Sequence, residues 1–197
     1  MFDKKKSEQE VTPAGDVIYR YPASSWAASP VGLSDESTRE FAELRAKVFE
    51  RFFGEAHSVL HESLALVPHV DVHTYYRRGA DGRDTCTLVT SGMSDLEMNV
   101  PAGAKRPRRV ELIFYCDEPK AEYAETLRWL AHFPHDQQTW IGTGHTIPNG
   151  NPPAPFWGSP ILDTILLLSP IVKRDGTLPD ELVLGGEPVH FPSPPRF

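Results

Sequence analysis

Proline sets the tightest limit on what this chain can fold into. Of 197 residues 19 are proline, roughly twice average usage, and eleven of them lie in the last 50 positions, from Pro148 onward. Each proline removes a backbone donor and turns the residue before it away from helical geometry. That third of the chain is therefore expected to be loops and short strands, with the longer helices upstream. The other end is little more regular. Residues 1–33 mix charges with Pro13, Pro22 and Pro30 and the aromatic cluster Tyr19, Tyr21 and Trp26, and read as a partly ordered arm ahead of one domain spanning 34–197.

Between these ends the periodicity is clearer. Phe41, Leu44, Val48, Phe49 and Phe52 recur at helical spacing, Ser37 and Glu40 are spaced as a capping box, and Gly54 is a stop signal, which predicts a helix from Ser37 to Phe53. Glu43, Lys47, Glu50 and Arg51 fall off the apolar stripe. Val70 to Arg77 alternates as a strand, Asp81-Gly82 is a turn dipeptide, and Thr85 to Thr90 returns as its partner. A strand is expected over Val110 to Cys116. A second helix is expected from Lys120 to His132, with Tyr123, Leu127, Leu130 and Ala131 as its apolar face and Pro134 ending it. Downstream come a Gly/Pro-rich loop from Ile141 to Pro160, an apolar run from Ile161 to Leu168, a turn at Asp175-Gly176 and a last strand near Val189 to Phe191. Helices and strands alternate only in part, so the expected class is α+β: a mixed, mostly antiparallel sheet with packed helices in a single domain.

Charge and composition exclude several function classes. Lys and Arg number 20 against 27 acids, a net charge of -7, which disfavours binding to nucleic-acid backbones because that needs a basic footprint. No apolar run approaches the roughly 20 residues that cross a bilayer. The N-terminus carries Lys4 to Lys6 but no apolar stretch after them, so no secretory signal is read and a cytoplasmic location is expected.

Motifs that suggest chemistry each have a plainer reading. His69, Asp71 and His73 share one face of a strand, an arrangement open to three zinc ligands, yet no downstream ligand completes a set, and solvent-face polar residues alternating with core Val70 and Val72 are the favoured reading. His57 and His61 lack the glutamate that a zinc protease needs directly after its first histidine. Cys86 and Cys116, 30 positions apart, sit in β runs with no electropositive neighbour and are expected to be buried and inert. Gly142-Thr143-Gly144 lacks a third glycine and a following helix. Lys105-Arg106-Pro107-Arg108-Arg109 is the one basic cluster, expected as a solvated loop. Catalytic, metal and cofactor residues are accordingly expected to be absent.

Taken in order, Thr87-Leu88-Val89-Thr90-Ser91-Gly92-Met93-Ser94-Asp95, Glu111 to Tyr115, Trp129-Leu130-Ala131 with Phe133-Pro134, and Gly144-His145-Thr146-Ile147-Pro148 form a series that resembles the Suppressor of fused (Sufu) domain family, in particular its bacterial single-domain members. The likeness runs on through Gly150, Pro155, Gly158-Ser159-Pro160 and Val189-His190-Phe191, roughly Phe41 to Phe191. The resemblance implies a non-enzymatic protein-binding domain. Animal members restrain a transcription factor with two lobes, of which this chain has one, whereas many bacterial members are regarded as immunity proteins that neutralise secreted toxins. The expected partner is thus a protein, a secreted toxin first, with no nucleic acid or membrane and with the oligomeric state left open. The alternative from another class is a metal-dependent or other hydrolase using the histidine-rich strand and the Gly/Pro-rich loop. Candidate protein-binding residues are those of the two most family-specific loops, Gly92, Met93, Ser94 and Asp95, then His145, Thr146 and Asn149, with Trp157 as an aromatic anchor. A competing reading makes both loops structural, their glycines supplying positive φ and their Ser, Asp and Thr capping nearby backbone.

Overall fold

The computed structural model describes residues 8–11, 17–20, 36–64, 66–78, 84–156 and 161–195. In chain order its elements are β1 (Glu8–Val11), β2 (Val17–Arg20), α1 (Glu36–Phe53), β3 (Ser58–Leu60), β4 (Asp71–Arg78), β5 (Asp84–Ser91), β6 (Arg109–Val110), β7 (Ile113–Cys116), α2 (Ala121–Asp136), β8 (Thr146–Pro148), β9 (Thr164–Leu166), α3 (Leu178–Glu181), β10 (Val183–Leu184) and β11 (Glu187–His190). Within the N-terminal arm, β1 and β2 pair antiparallel.

The centre is a four-stranded antiparallel sheet ordered β3-β4-β5-β7. The expected hairpin is its core, paired from Asp71 opposite Ser91 to Arg78 opposite Asp84; the Asp81-Gly82 turn lies outside the described residues. Residues alternate between the two faces of the sheet, as the period of two requires, and each face has its own apolar cluster. On one side Val72, Leu88, Leu112 and Phe114 pack with Leu127, Leu130 and Ala131 of α2. On the other Tyr75, Val89, Ile113 and Tyr115 pack with Phe49 and Phe53 of α1 and with Leu178, Val189 and Phe191 from the C-terminal segment. Phe53 stacks on Tyr75 at 4.8 Å and Phe49 meets Phe191 edge-on at 6.2 Å. His73 stands edge-on to Phe49 on this second side, so it is covered by α1 and not on the solvent face expected for it.

Several boundaries depart from the sequence reading for identifiable reasons. Helix α1 starts at Glu36, which places Ser37 and Glu40 inside the helix, so Ser37 is not its cap. Its buried stripe is also rotated: Leu44 is 36% exposed and Phe41 is half-buried, while Arg45 is 2% exposed. Gly54, at φ +86°, ends the helix with its N–H on the Glu50 carbonyl at 2.8 Å. The strand expected over Val110 to Cys116 is divided, because β6 pairs parallel with β11 while β7 pairs with β5. The chain steps between the two sheets at Glu111-Leu112. Helix α2 runs through Pro134 to Asp136; burial of Leu130 and Ala131, both 0% exposed, outweighs the single backbone bond that a proline near the last turn removes.

The C-terminal third is not purely loop and strand. The Asp175-Gly176 turn is a 3-10 turn, Asp175–Thr177, that leads into α3, where Pro179 occupies the first turn and its missing N–H goes unneeded. Asp175, 0% exposed, accepts from Arg77 Nη1 at 2.7 Å and from Tyr115 Oη at 2.8 Å. Those two bonds tie the segment to the sheet. Strands β8 and β9 pair antiparallel and send Ile147 and Ile165 into the α2-side cluster, which Leu167, just past β9, also enters.

Candidate protein-binding surface

The Gly-Met-Ser-Asp loop is built around one buried carboxylate. Glu111, at the step between the sheets, is 0% exposed. It accepts from Thr90 Oγ1 at 2.6 Å, from the Gly92 N–H at 2.9 Å, and from both the N–H and the hydroxyl of Ser94. Arg45 Nε stands 3.8 Å from the same carboxylate. Burial pushes the Glu111 carboxyl above its ordinary range, with Arg45 and the donors of Ser94, Thr90 and Gly92 pulling the other way. Arg45 also forms a two-pronged pair with Asp95, its Nη1 on Oδ1 and its Nη2 on Oδ2. From below, Arg109 Nη1 donates to the carbonyls of Ser94 and Asp95 at 2.7 and 2.9 Å. Gly92 sits at φ +128°, and a Cβ there would stand 1.8 Å from the His69 carbonyl oxygen, so only glycine fits.

This geometry bears on the binding role considered for Gly92, Met93, Ser94 and Asp95. Met93 is 1% and Ser94 0% exposed, and a side chain enclosed in a folded core cannot touch a partner. Asp95 is half-buried, with its carboxylate held by Arg45. The rotated stripe of α1 has the same origin, because Arg45 must face inward to reach Asp95 and Glu111.

The second loop is divided. His145 is half-buried with its ring 4.2 Å from that of Trp140, and burial, then the nearby Arg106 charge, hold its pKa below the usual imidazole value. Thr146 is exposed on β8. Asn149 is half-buried, and its Nδ2 donates to the carbonyls of Ala154 and Pro155, which closes the turn between them. Trp157 lies outside the described residues.

Two clefts flank this loop. One, of about 280 Å³, is lined by Arg106, Trp140, Thr143, Ser169, His190 and Phe191 among others. The other, of about 290 Å³, lies between α2 and the Asn149–Phe156 turn, and is lined by Glu122, Glu125, Thr126, Trp129, Asn149, Pro155 and Phe156. Glu122, Glu125 and Trp129 form one stripe of α2 at i, i+3 and i+7, opposite the face that enters the core. Glu122 and Glu125 are exposed, Trp129 is 39% exposed, and Phe156 forms the buried floor. An acidic rim over an aromatic surface suits a cationic side chain, which gains both a carboxylate partner and a cation–π face. The sequence reading did not single this groove out, although the helical spacing that assigns Leu127 and Leu130 to the core also puts Trp129 with the two glutamates on the outer side.

The remaining motifs are placed as follows. His69 and His61 flank Asp71, at 3.2 and 2.9 Å, and His132 meets Glu62 at 2.8 Å. Among the described residues no three His, Cys, Asp or Glu side chains are arranged to hold a metal ion. Lys105, Arg106 and Arg108 are exposed as expected, but Arg109 is buried beneath the Gly-Met-Ser-Asp loop. No helix among the described residues is long and apolar enough to cross a membrane.

Comparison with known proteins bears on the fold and the family. The model of the family described as Suppressor of fused protein (SUFU) matches residues 67–193, which runs from just before β4 to just past β11 and begins beyond α1, later than the extent read from the sequence. No curated protein matches. Among solved structures, a SUFU homolog from Neisseria gonorrhoeae superposes with a TM-score of 0.55 at 14% identity, covering 79% of this chain and 78% of the other; at that identity the likeness concerns the fold. The matched segment holds the central hairpin, the buried-carboxylate loop and both clefts, and it spans well over half of the sequence. On that match this chain belongs to the Suppressor of fused family.

Proposed function

We propose that this chain is a non-enzymatic protein-binding domain that masks a cationic protein, acting as an immunity protein toward a secreted bacterial toxin. The observation that carries the reading is the groove on the outer face of α2, where Glu122 and Glu125 border the half-exposed Trp129. Its chemistry selects an arginine- or lysine-bearing segment. The net charge of -7 supports the same choice, since a negative surface speeds encounter with a basic partner and repels acidic ones. Interface energy concentrates in aromatic and charged anchors, and Trp129 with its two glutamates provides such a set on a rigid helix.

The test is to search beside this chain's gene for one encoding a large secreted protein and to co-express the two. A stable complex and rescued growth are expected from the native chain. Reversing both groove charges, Glu122→Lys with Glu125→Lys, should abolish rescue while the thermal midpoint stays within a few degrees, because both positions are exposed. Failure of the native chain to bind or protect, or a complex indifferent to the double reversal, overturns the proposal.

A further inference from the structure

Cys86 and Cys116 are the only cysteines of the chain, and the sheet brings them face to face. They are register partners on β5 and β7, the end pair of a ladder that runs inward to Val89 opposite Ile113. Both side chains enter the α2-side cluster, and neither is in a disulfide. The Thr90 N–H donates to the Leu112 carbonyl at 3.0 Å. Two steps of two residues lead from that pair to Cys86 and Cys116, which therefore belong to the same directly bonded class, with Cα atoms about 5.5 Å apart. Disulfides accept Cα separations of roughly 4.4–6.8 Å, but their Cβ atoms stand roughly 3.5–4.5 Å apart, closer than in a directly bonded pair, so closing a bridge here draws the end of β7 toward β5. A hydrogen bond with Cys116 draws the Cys86 thiol below its ordinary pKa, with burial opposing. The inertness expected from sequence rested on neighbours along the chain; the pairing gives each thiol a reaction partner.

We propose that Cys86 and Cys116 are a redox modification site, closing a cross-strand disulfide that staples the edge strand β7 to β5 when a disulfide oxidant such as oxidised glutathione is present. One protein thiolate attacks the glutathione disulfide and releases one glutathione thiolate, which takes up a proton. The second protein thiolate then attacks the protein-bound sulfur, forming the Cys86–Cys116 bond and releasing the second glutathione. The protein gives up two protons and two electrons, and one glutathione disulfide becomes two thiols. Cys86 is 0% and Cys116 3% exposed, so the reaction uses fraying of the strand end. Cys116 is the last residue of β7 and is followed by the exposed Asp117 and Glu118, and end pairs open far more often than whole sheets.

The experiment incubates the folded, reduced chain with oxidised glutathione, then alkylates it in denaturant and measures intact mass. The expected product is a monomer lighter by two hydrogens, refractory to alkylation and restored by dithiothreitol. Its denaturation midpoint should lie above that of the reduced chain, because the bridge closes a loop in the unfolded state. Cys86→Ser and Cys116→Ser should each give a glutathione adduct or a free thiol, with no internal bridge. Two alkylatable thiols under conditions that oxidise a model dithiol, glutathione adducts that do not resolve, or bridging only after denaturant is added would each overturn the proposal.

Discussion

Replacing Glu111 by alanine should cost about 3–5 kcal/mol of folding stability, the range observed when one partner of a buried, hydrogen-bonded charge set is removed. The structure supports that magnitude through the groups left behind. The N–H groups of Gly92 and Ser94, at 2.9 and 3.0 Å from the carboxylate, belong to a loop anchored from below by Arg109 and cannot turn to another acceptor. Each buried donor left unsatisfied costs roughly 1–3 kcal/mol. The hydroxyls of Thr90 and Ser94 can rotate, and Arg45 keeps Asp95, so these add little. A domain with a total stability of roughly 5–15 kcal/mol would lose a large fraction of it. Glu111→Gln keeps one carbonyl acceptor but turns an amide toward the donors, so a smaller loss is expected. The assay is equilibrium unfolding in guanidinium chloride followed by tryptophan fluorescence and circular dichroism, with unchanged slope as the check on two-state behaviour. A loss below about 1 kcal/mol for Glu111→Ala would refute the reasoning, because the Gly-Met-Ser-Asp loop would then be held by something other than this carboxylate.

Three further outcomes follow from the same geometry. Gly92→Ala sets a Cβ 1.8 Å from a backbone oxygen at positive φ and should cost about 4 kcal/mol or more, measured as lost soluble expression and a collapsed denaturation midpoint. Leu112→Ala empties a 0% exposed site and should cost about 2–5 kcal/mol in the same unfolding assay. Burial of His135 lowers its pKa from 6.5 to about 4, so the stability tied to its neutral ring is complete above pH 6.5 and drains as the pH falls toward 4. At about 1.4 kcal/mol per unit that amounts to roughly 3 kcal/mol. Burial also lowers His73, His145 and His190, and these act in the same direction, so the specific check is that His135→Phe flattens the stability profile between pH 6.5 and 4 relative to the native chain.

What the sequence made legible is what local periodicity controls. The two long helices, the Asp71–Ser91 hairpin, the core positions Leu88, Leu112, Phe114, Leu127 and Leu130, and the α+β class all follow from spacing and composition. The features that escaped are contacts between segments far apart in the chain. Arg45 falls on the apolar stripe of α1, four residues from both Phe41 and Phe49, but helical spacing cannot show that Asp95 and Glu111, 50 and 66 positions downstream, are the partners that let a charge sit there. A lone acid inside the run Val110 to Phe114 was the available sign that a buried carboxylate needs partners. The division of that run between two sheets depends on β11, nearly 80 residues later, and no local pattern encodes it. Pro179 illustrates the opposite error: proline density argues against helix on average, yet a proline in a first turn is compatible with one. For the candidate site, Asn149 was identified and the groove it borders was not, because Trp129 was read for its place in a family string and not for the side of α2 it occupies.

The most direct test of the central claim, that the acidic groove on α2 receives a cationic protein segment, is a titration of the 15N-labelled chain with an arginine-rich peptide, repeated with a glutamate-rich one, followed by amide chemical shifts. Binding should be seen for the basic peptide, with shifts concentrated on Glu122 to Trp129 and on Asn149 to Phe156, weakened by added salt and lost in the Glu122→Lys, Glu125→Lys variant. Shifts from the acidic peptide gathered around Arg106, Trp140 and His190, with the α2 groove silent toward the basic one, would contradict the account and move the binding surface to the other cleft.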